Sequence, residues 1–270
     1  SDVVPILEKL GLRIISERPH EIKLANKDVI WISDYCMIHP NAEKLAPEEI
    51  NILFQDAFAA VWSNRAENDG LNRLVMNAGV NWRDISLLRA YYKYLWQTGL
   101  VFSLSSVEDA LSNNTHIVLD IIRYFYVKFD PTLVSENRSV VLNNIQSQIE
   151  TALDLVTSLN EDRIIRSYLG ALMATVRTNY FQTKNKEYIS LKFDSAKIPD
   201  LPLPRPMFEI FVYDTNVEAI HLRADKIARG GIRWSDRPED FRTEVLGLMK
   251  AQQVKNSVIV PLGAKGGFIV

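Results

Sequence analysis

The sequence predicts an α+β chain in three parts, and three observations carry that reading. An α-β-β succession with β-branched runs fills about the first 40 residues, and a long stretch from Pro47 to Gln182 repeats apolar residues at three- and four-residue steps. A proline-rich segment then opens onto alternating strands, one helix and a glycine-rich loop. The expected boundaries are 1–45 for a partial α/β piece, 46–185 for a helical bundle, and 186–270 for strands and a helix of a further domain. At 270 residues the chain is long enough to bury a sizeable core.

Val3 to Leu10 reads as a helix stopped by Gly11, and Leu12–Ile15 and Val29–Ile32 as strands. Such an order cannot close a sheet, so the chain is expected to begin inside a small module. In the second zone, Ile149, Leu153 and Val156 and then Ile165, Leu169, Leu172 and Val176 mark helix faces. The second of these helices is expected to start at Asn160, with Glu161 and Asp162 on the positive end of its dipole. Gly70, Gly79, Gly99 and Pro131 divide the zone into about six helices. Trp62, Trp82 and Trp96 are read as core aromatics of the bundle rather than a ligand-stacking set. In the third zone, Pro199, Pro202, Pro204 and Pro206 favour an extended linker. Strands follow at Met207–Tyr213 and Val217–Leu222, then a Gly230-Gly231 turn and a helix from about Pro238 to Asn256. Val258–Val260 reads as a buried strand, and Pro261 to Gly267 as a loop.

Hydrophobic content of 47% and charged content of 24% are ordinary for a folded protein, and no run approaches a membrane span. No secretory leader is visible at Ser1–Pro5, and the single Cys36 cannot form an internal disulfide, so a cytoplasmic setting is expected. The net charge of −2 is unevenly spread: residues 221–270 hold nine basic and five acidic groups, and six of the eleven glycines. An anion site is therefore sought at that end. Nucleic acid is a poor partner, because acids are interleaved and aromatic stacking residues are lacking. His20, His39, His116 and His221 lack metal-ligand spacing, so no metal is expected.

Three features of the basic end carry chemistry. Gln252 and Lys255 share one helix face; they read either as a carboxylate clamp of amide and ammonium or as a solvated face with Lys255 answering the helix dipole. Lys265 lies between apolar segments among glycines, and reads as a general acid/base or as an exposed lysine of a turn. Arg229 and Arg233 flank Gly230 and Gly231 as a carboxylate receptor or as solvated arginines of a hairpin turn. Gly266 and Gly267 follow Lys265 without Walker A spacing, and no Gly-x-Gly-x-x-Gly exists in the chain.

The runs Ala228-Arg229-Gly230-Gly231-Ile232-Arg233-Trp234-Ser235-Asp236-Arg237, Asp240 to Asn256, and Val260-Pro261-Leu262-Gly263-Ala264-Lys265-Gly266-Gly267-Phe268 strongly resemble the large-subunit NAD-dependent glutamate dehydrogenases. Leu10–Arg13 through Glu17-Arg18-Pro19 and Val29–Trp31 are similar to that family's last ACT-like module, and Ala57–Trp62 through Arg177–Tyr180 to the helical segment before its catalytic domain. The resemblance implies that Lys265 is catalytic and that Lys255 and Gln252 hold the substrate's α-carboxylate. Arg229 stands where a lysine usually binds the side-chain carboxylate, and Arg233, Gly230, Gly231, Gly266 and Gly267 support the site. It further implies interconversion of L-glutamate and 2-oxoglutarate, with NAD and a catalytic aspartate supplied beyond Val270 and no NAD site in these residues. The 270 residues alone are then expected to be inactive, the full protein a homo-oligomer, and the ACT-like module open to an amino-acid effector. The alternative is a non-catalytic regulatory or assembly module that keeps a dehydrogenase-like sequence.

Overall fold

In the computed structural model, which describes residues 2–25, 28–40, 47–133, 137–182, 187–199, 201–255 and 263–270, helix α1 (Val3–Lys9) ends where Gly11 turns to a φ of +89°. Only glycine adopts that conformation without penalty, so the stop signal is local. Two compact units follow from the packing, Ser1–Ile85 and Ser86–Val270.

In the first unit, β1 (Arg13–Lys23) and β2 (Val29–Ile38) form a two-stranded antiparallel ribbon, with Arg13 opposite Ile38 and Lys23 opposite Val29. Ile15, Trp31 and Ile32 of this ribbon are exposed. Helices α2 (Pro47–Trp62) and α3 (Arg73–Ala78) follow; α3 ends at Gly79 in the left-handed region. Ile6, Leu7, Leu10, Ala57, Ala60, Leu71 and Leu74 are among the unit's buried apolar residues.

Most of helix α4 (Trp82–Thr98) belongs to the second unit, whose helical part it forms with α5 (Leu104–Asn113), α6 (Thr115–Phe129), α7 (Arg138–Leu153) and α8 (Leu159–Ala174). Ile145, Ile149 and Leu153, like Ile165, Leu169 and Leu172, are buried at the spacing that their periodicity requires. The cap of α8 is Ser158 rather than Asn160: its hydroxyl accepts from the Glu161 N–H at 3.4 Å. Glu161 in turn accepts from Asn113 and Asn114, both at 2.8 Å, and so ties the α5–α6 junction to the start of α8. The tryptophans do not form the core. Trp62 and Trp96 are 58% and 41% exposed, and the buried aromatics instead include Tyr91, Tyr94, Phe125, Tyr168, Phe193 and Phe211.

The helical zone ends earlier than its periodicity suggests. Residues Thr175–Thr178 leave α8 as strand β3, which pairs antiparallel with β4 (Ile189–Asp194). Val176 keeps helical step with Leu172, but β-branched Thr175, Val176 and Thr178 suit a strand as well, and the neighbouring β4 decides. Strands β5 (Phe208–Tyr213), β6 (Glu218–Arg223), β7 (Ile232–Trp234) and β8 (Ala264–Ile269), with helix α9 (Phe241–Lys255) between the last two, complete a six-stranded sheet in the order β3-β4-β5-β6-β8-β7. All its pairings are antiparallel except β7 with β8. On its inner face Leu191, Phe193, Phe211, Ile220 and Leu222 are buried, and Tyr94 of α4 stacks on Phe193 with ring centroids 3.9 Å apart. The proline-rich segment is pinned rather than free: Ile198 and Leu201 are buried, and Pro199 stands where a Cβ on Gly170 would touch it at 3.3 Å.

Candidate carboxylate site at the start of the parallel strand pair

The chain from Arg229 to Trp234 lies parallel to Gly263–Phe268 in one continuous register. Arg229 bridges Gly263, Ile232 pairs with Gly266, and Trp234 pairs with Phe268. Gly230-Gly231 is therefore not a hairpin turn, and Lys265-Gly266-Gly267 is not a loop; both are extended segments of a β-α-β unit whose helix is α9. Glycine composition suggested turns, whereas Gly230, Gly266 and Gly267 serve close approach. A Cβ on Gly230 would overlap the Ala264 carbonyl. The Gly231 carbonyl accepts from the Gly266 N–H at 3.0 Å.

Alternation along β8 gives Lys265 its setting. Gly263, Lys265 and Gly267 point to one face. A Cβ on Gly263 would meet Gln252 at 3.2 Å, and one on Gly267 would meet Cγ2 of Val245 at 2.6 Å. Both neighbours belong to α9, so the two glycines let the helix settle onto the strand and leave Lys265 as the side chain between them. Lys265 is half-buried, and among the described residues its ammonium makes no hydrogen bond or ion pair. Gly266 serves the opposite face, where a Cβ would meet Ile232 at 3.0 Å and His221 at 3.4 Å. There Nδ1 of His221 is buried without a partner among the described residues, and burial, followed by the charge of Arg223, lowers the imidazole below its ordinary pKa.

Because β7 and β8 are parallel, α9 returns the chain to the start of β8, and its C-terminal end arrives beside Arg229 and Gly263. Gln252 Nε2 donates to the Arg229 carbonyl at 3.0 Å, while the same carbonyl accepts from the Ala264 N–H at 3.0 Å. One amide hydrogen of Gln252 stays available, and its Oε1 is buried without a partner among the described residues. The Arg229 guanidinium is exposed, with no acidic partner among the described residues. The structure thus brings Arg229, Gln252 and Lys265 to one end of the β7–β8 pair. Lys255 closes α9 three residues beyond Gln252, but its side chain, like residues 256–262 with the expected strand Val258–Val260, lies outside the described residues. Arg233 stands away from this cluster: its Nη1 is 3.4 Å from Glu244 Oε1, and Glu244 also accepts from the Ser235 hydroxyl at 2.6 Å, which fastens β7 to α9.

Sequence reasoning missed two contributors. Gly263 carried a visible signal, the period-two spacing Gly263-Lys265-Gly267. The other is a fully buried ion pair, Glu209 of β5 with Arg242 of α9, with Nε to Oε2 at 2.9 Å and Nη2 to Oε1 at 2.5 Å. Thirty-three positions separate the two residues, so no local pattern links them.

Comparison with known proteins agrees with this architecture. Family models match the chain as the ACT3 domain of glutamate dehydrogenase over residues 1–50, as its helical motif 3 over 66–131, and as the catalytic domain of bacterial NAD-glutamate dehydrogenase over 148–270. The chain belongs to the bacterial NAD-glutamate dehydrogenase family. It is 49% identical to the NAD-specific glutamate dehydrogenase of Pseudomonas aeruginosa, 43% to that of Halomonas elongata and 40% to that of Mycobacterium tuberculosis. Each match covers the whole chain but 17% of the relative's length. Arg229, Gln252, Lys255 and Lys265 all fall within the part matched by the catalytic-domain model of this dehydrogenase family.

Proposed function

We propose that these residues supply the substrate side of an enzyme that oxidatively deaminates L-glutamate to 2-oxoglutarate and ammonia. The observation that carries the reading is the half-buried residue Lys265, its ammonium unpaired among the described residues, set between two glycines that pack against α9, at the strand end where Gln252 is fastened. A cation and an amide donor held on a strand and a helix suit a carboxylate or a carbonyl oxygen. Lys265 holds or passes a proton at the reacting centre, the role open to an ammonium that no acidic group among the described residues occupies. Gln252, with one amide hydrogen left, and Lys255 hold the α-carboxylate. Arg229 offers a planar fork to the second carboxylate of the substrate.

NAD, which the relatives' names specify, supplies hydride acceptance when bound. The glycines described around β8 do not fit it: the space beside Gly230, Gly263, Gly266 and Gly267 is filled by the Ala264 carbonyl, Gln252, Ile232 and Val245 rather than opening onto a helix N-terminus. The dinucleotide is therefore held by other residues of the protein, and these 270 alone do not turn over glutamate. The exposed free thiol of Cys36 suits a reducing, cytoplasmic setting.

The test is a steady-state comparison in the complete enzyme. Gln252→Ala and Lys255→Ala raise KM for glutamate about tenfold or more with a smaller change in kcat, as expected for groups that bind the ground state and the transition state alike. An unchanged KM in both variants would refute the carboxylate assignment.

A further inference from the structure

Arg242 occupies the second position of α9, where a cation opposes the helix dipole, and it is 1% exposed against a fully buried Glu209. Removing two charges from water is expensive, and an apolar pair of similar volume commonly serves stability as well or better. Stability alone therefore gives no reason for this pair. What it does provide is direction. The guanidinium grips Glu209 of β5 through two parallel hydrogen bonds, and the Tyr94 hydroxyl of α4 donates to the same carboxylate at 3.2 Å. The backbone N–H of Arg242 donates to Gln97 Oε1 of α4 at 3.1 Å, and Gln97 Nε2 donates to the Pro238 carbonyl at 2.8 Å. The first turn of α9 is thus fixed to β5 by a side chain and to α4 by its backbone.

We infer that the Glu209–Arg242 pair, with Tyr94 and Gln97, is a positioning device that sets where α9 delivers Gln252 and Lys255, and so couples the α4 helix to the carboxylate site. The inference rests on the reading of that site given above. Ten residues separate Arg242 from Gln252, about 15 Å along a helix, so a tilt of about 4° at the pivot moves Gln252 by about 1 Å. Displacements of that size are costly at a reacting site. Among the described residues Gln252 donates to the Arg229 carbonyl and packs over Gly263; nearer its start α9 is held by Val245 over Gly267, by Glu244 on β7 and, at the first turn, by the buried clamp.

The experiment uses the complete enzyme with Glu209→Leu and Arg242→Met together, which keeps the volume and leaves no unpaired charge. The expected result is a melting temperature within a few degrees of the parent or above it, a KM for glutamate raised about tenfold, and a KM for NAD within about twofold. A purely structural pair would leave the glutamate KM unchanged in the folded double variant, and that result overturns the proposal. If the double variant fails to fold, Gln97→Leu replaces it, with an expected rise of about threefold and the same contrary result. Gln252→Ala is measured in parallel. If it raises KM and the clamp variants do not, the positioning role is wrong while the site stands; if Gln252→Ala has no effect, the site reading fails and takes the proposal with it.

Discussion

Gly267→Ala probes the contact on which the Lys265 setting depends. An ideal Cβ at this position lies 2.6 Å from Cγ2 of Val245, whereas two carbon atoms pack at about 3.5–4.0 Å, so the strand or the helix must retreat by about 1 Å. Strand β8 lies between β6 and β7 in the sheet, and α9 is anchored at its first turn, so neither yields freely. Overpacking of this kind costs about 1–3 kcal/mol. In a unit of this size each kcal/mol lowers the melting temperature by about 2–4 °C. Thermal and denaturant unfolding of the chain measure the loss. Val245→Ala removes the obstructing methyl, so the double variant should recover about half or more of the loss, a coupling of about 1 kcal/mol. Gly231→Ala is the control: nothing lies within 4 Å of its Cβ, and the change should stay within about 0.5 kcal/mol. A Gly267→Ala chain as stable as the control would refute the claim that glycines let α9 settle on β8, and with it the slot described for Lys265.

Two other outcomes follow from neighbouring residues. Gly247 sits exposed inside α9 with open space around its Cβ, so Gly247→Ala should stabilise the chain by about 0.5–1 kcal/mol, read as a higher denaturation midpoint. His221 has a folded pKa below its ordinary 6.5, so the unfolded chain binds its proton first as the pH falls. Its contribution is present above about pH 6.5 and is lost as the pH falls from there through the folded value, and His221→Gln should flatten that limb of the stability curve. An equally steep limb in the variant would show that His221 is not its source.

The elements legible in the sequence are those whose signal is local. Gly11 ends α1, the alternation at 208–213 and 218–223 becomes β5 and β6, and the helix expected from Pro238 is α9. The failures share a physical cause. Gly230, Gly231, Gly266 and Gly267 speak for a loop when read one at a time, because glycine's freedom of backbone is the strongest local signal it has. In the folded sheet Gly230, Gly266 and Gly267 are needed for space, which becomes visible only with β8, Ile232 and α9 in place, while Gly231 has open space around it. Val176 shows the converse, a residue in helical step that the neighbouring β4 draws into a strand. The candidate residues stood out in the sequence because cations, an amide and glycines cluster within some forty positions. The Glu209–Arg242 clamp was not, since its members meet only across the fold.

The central claim is that Lys265 handles the proton at the reacting centre, and turnover of the complete enzyme carrying Lys265→Ala tests it most directly. The account predicts a kcat for glutamate oxidation lower by at least about a hundredfold, with the fold intact and KM for NAD little changed. A folded Lys265→Ala enzyme that keeps near-parental kcat would contradict it.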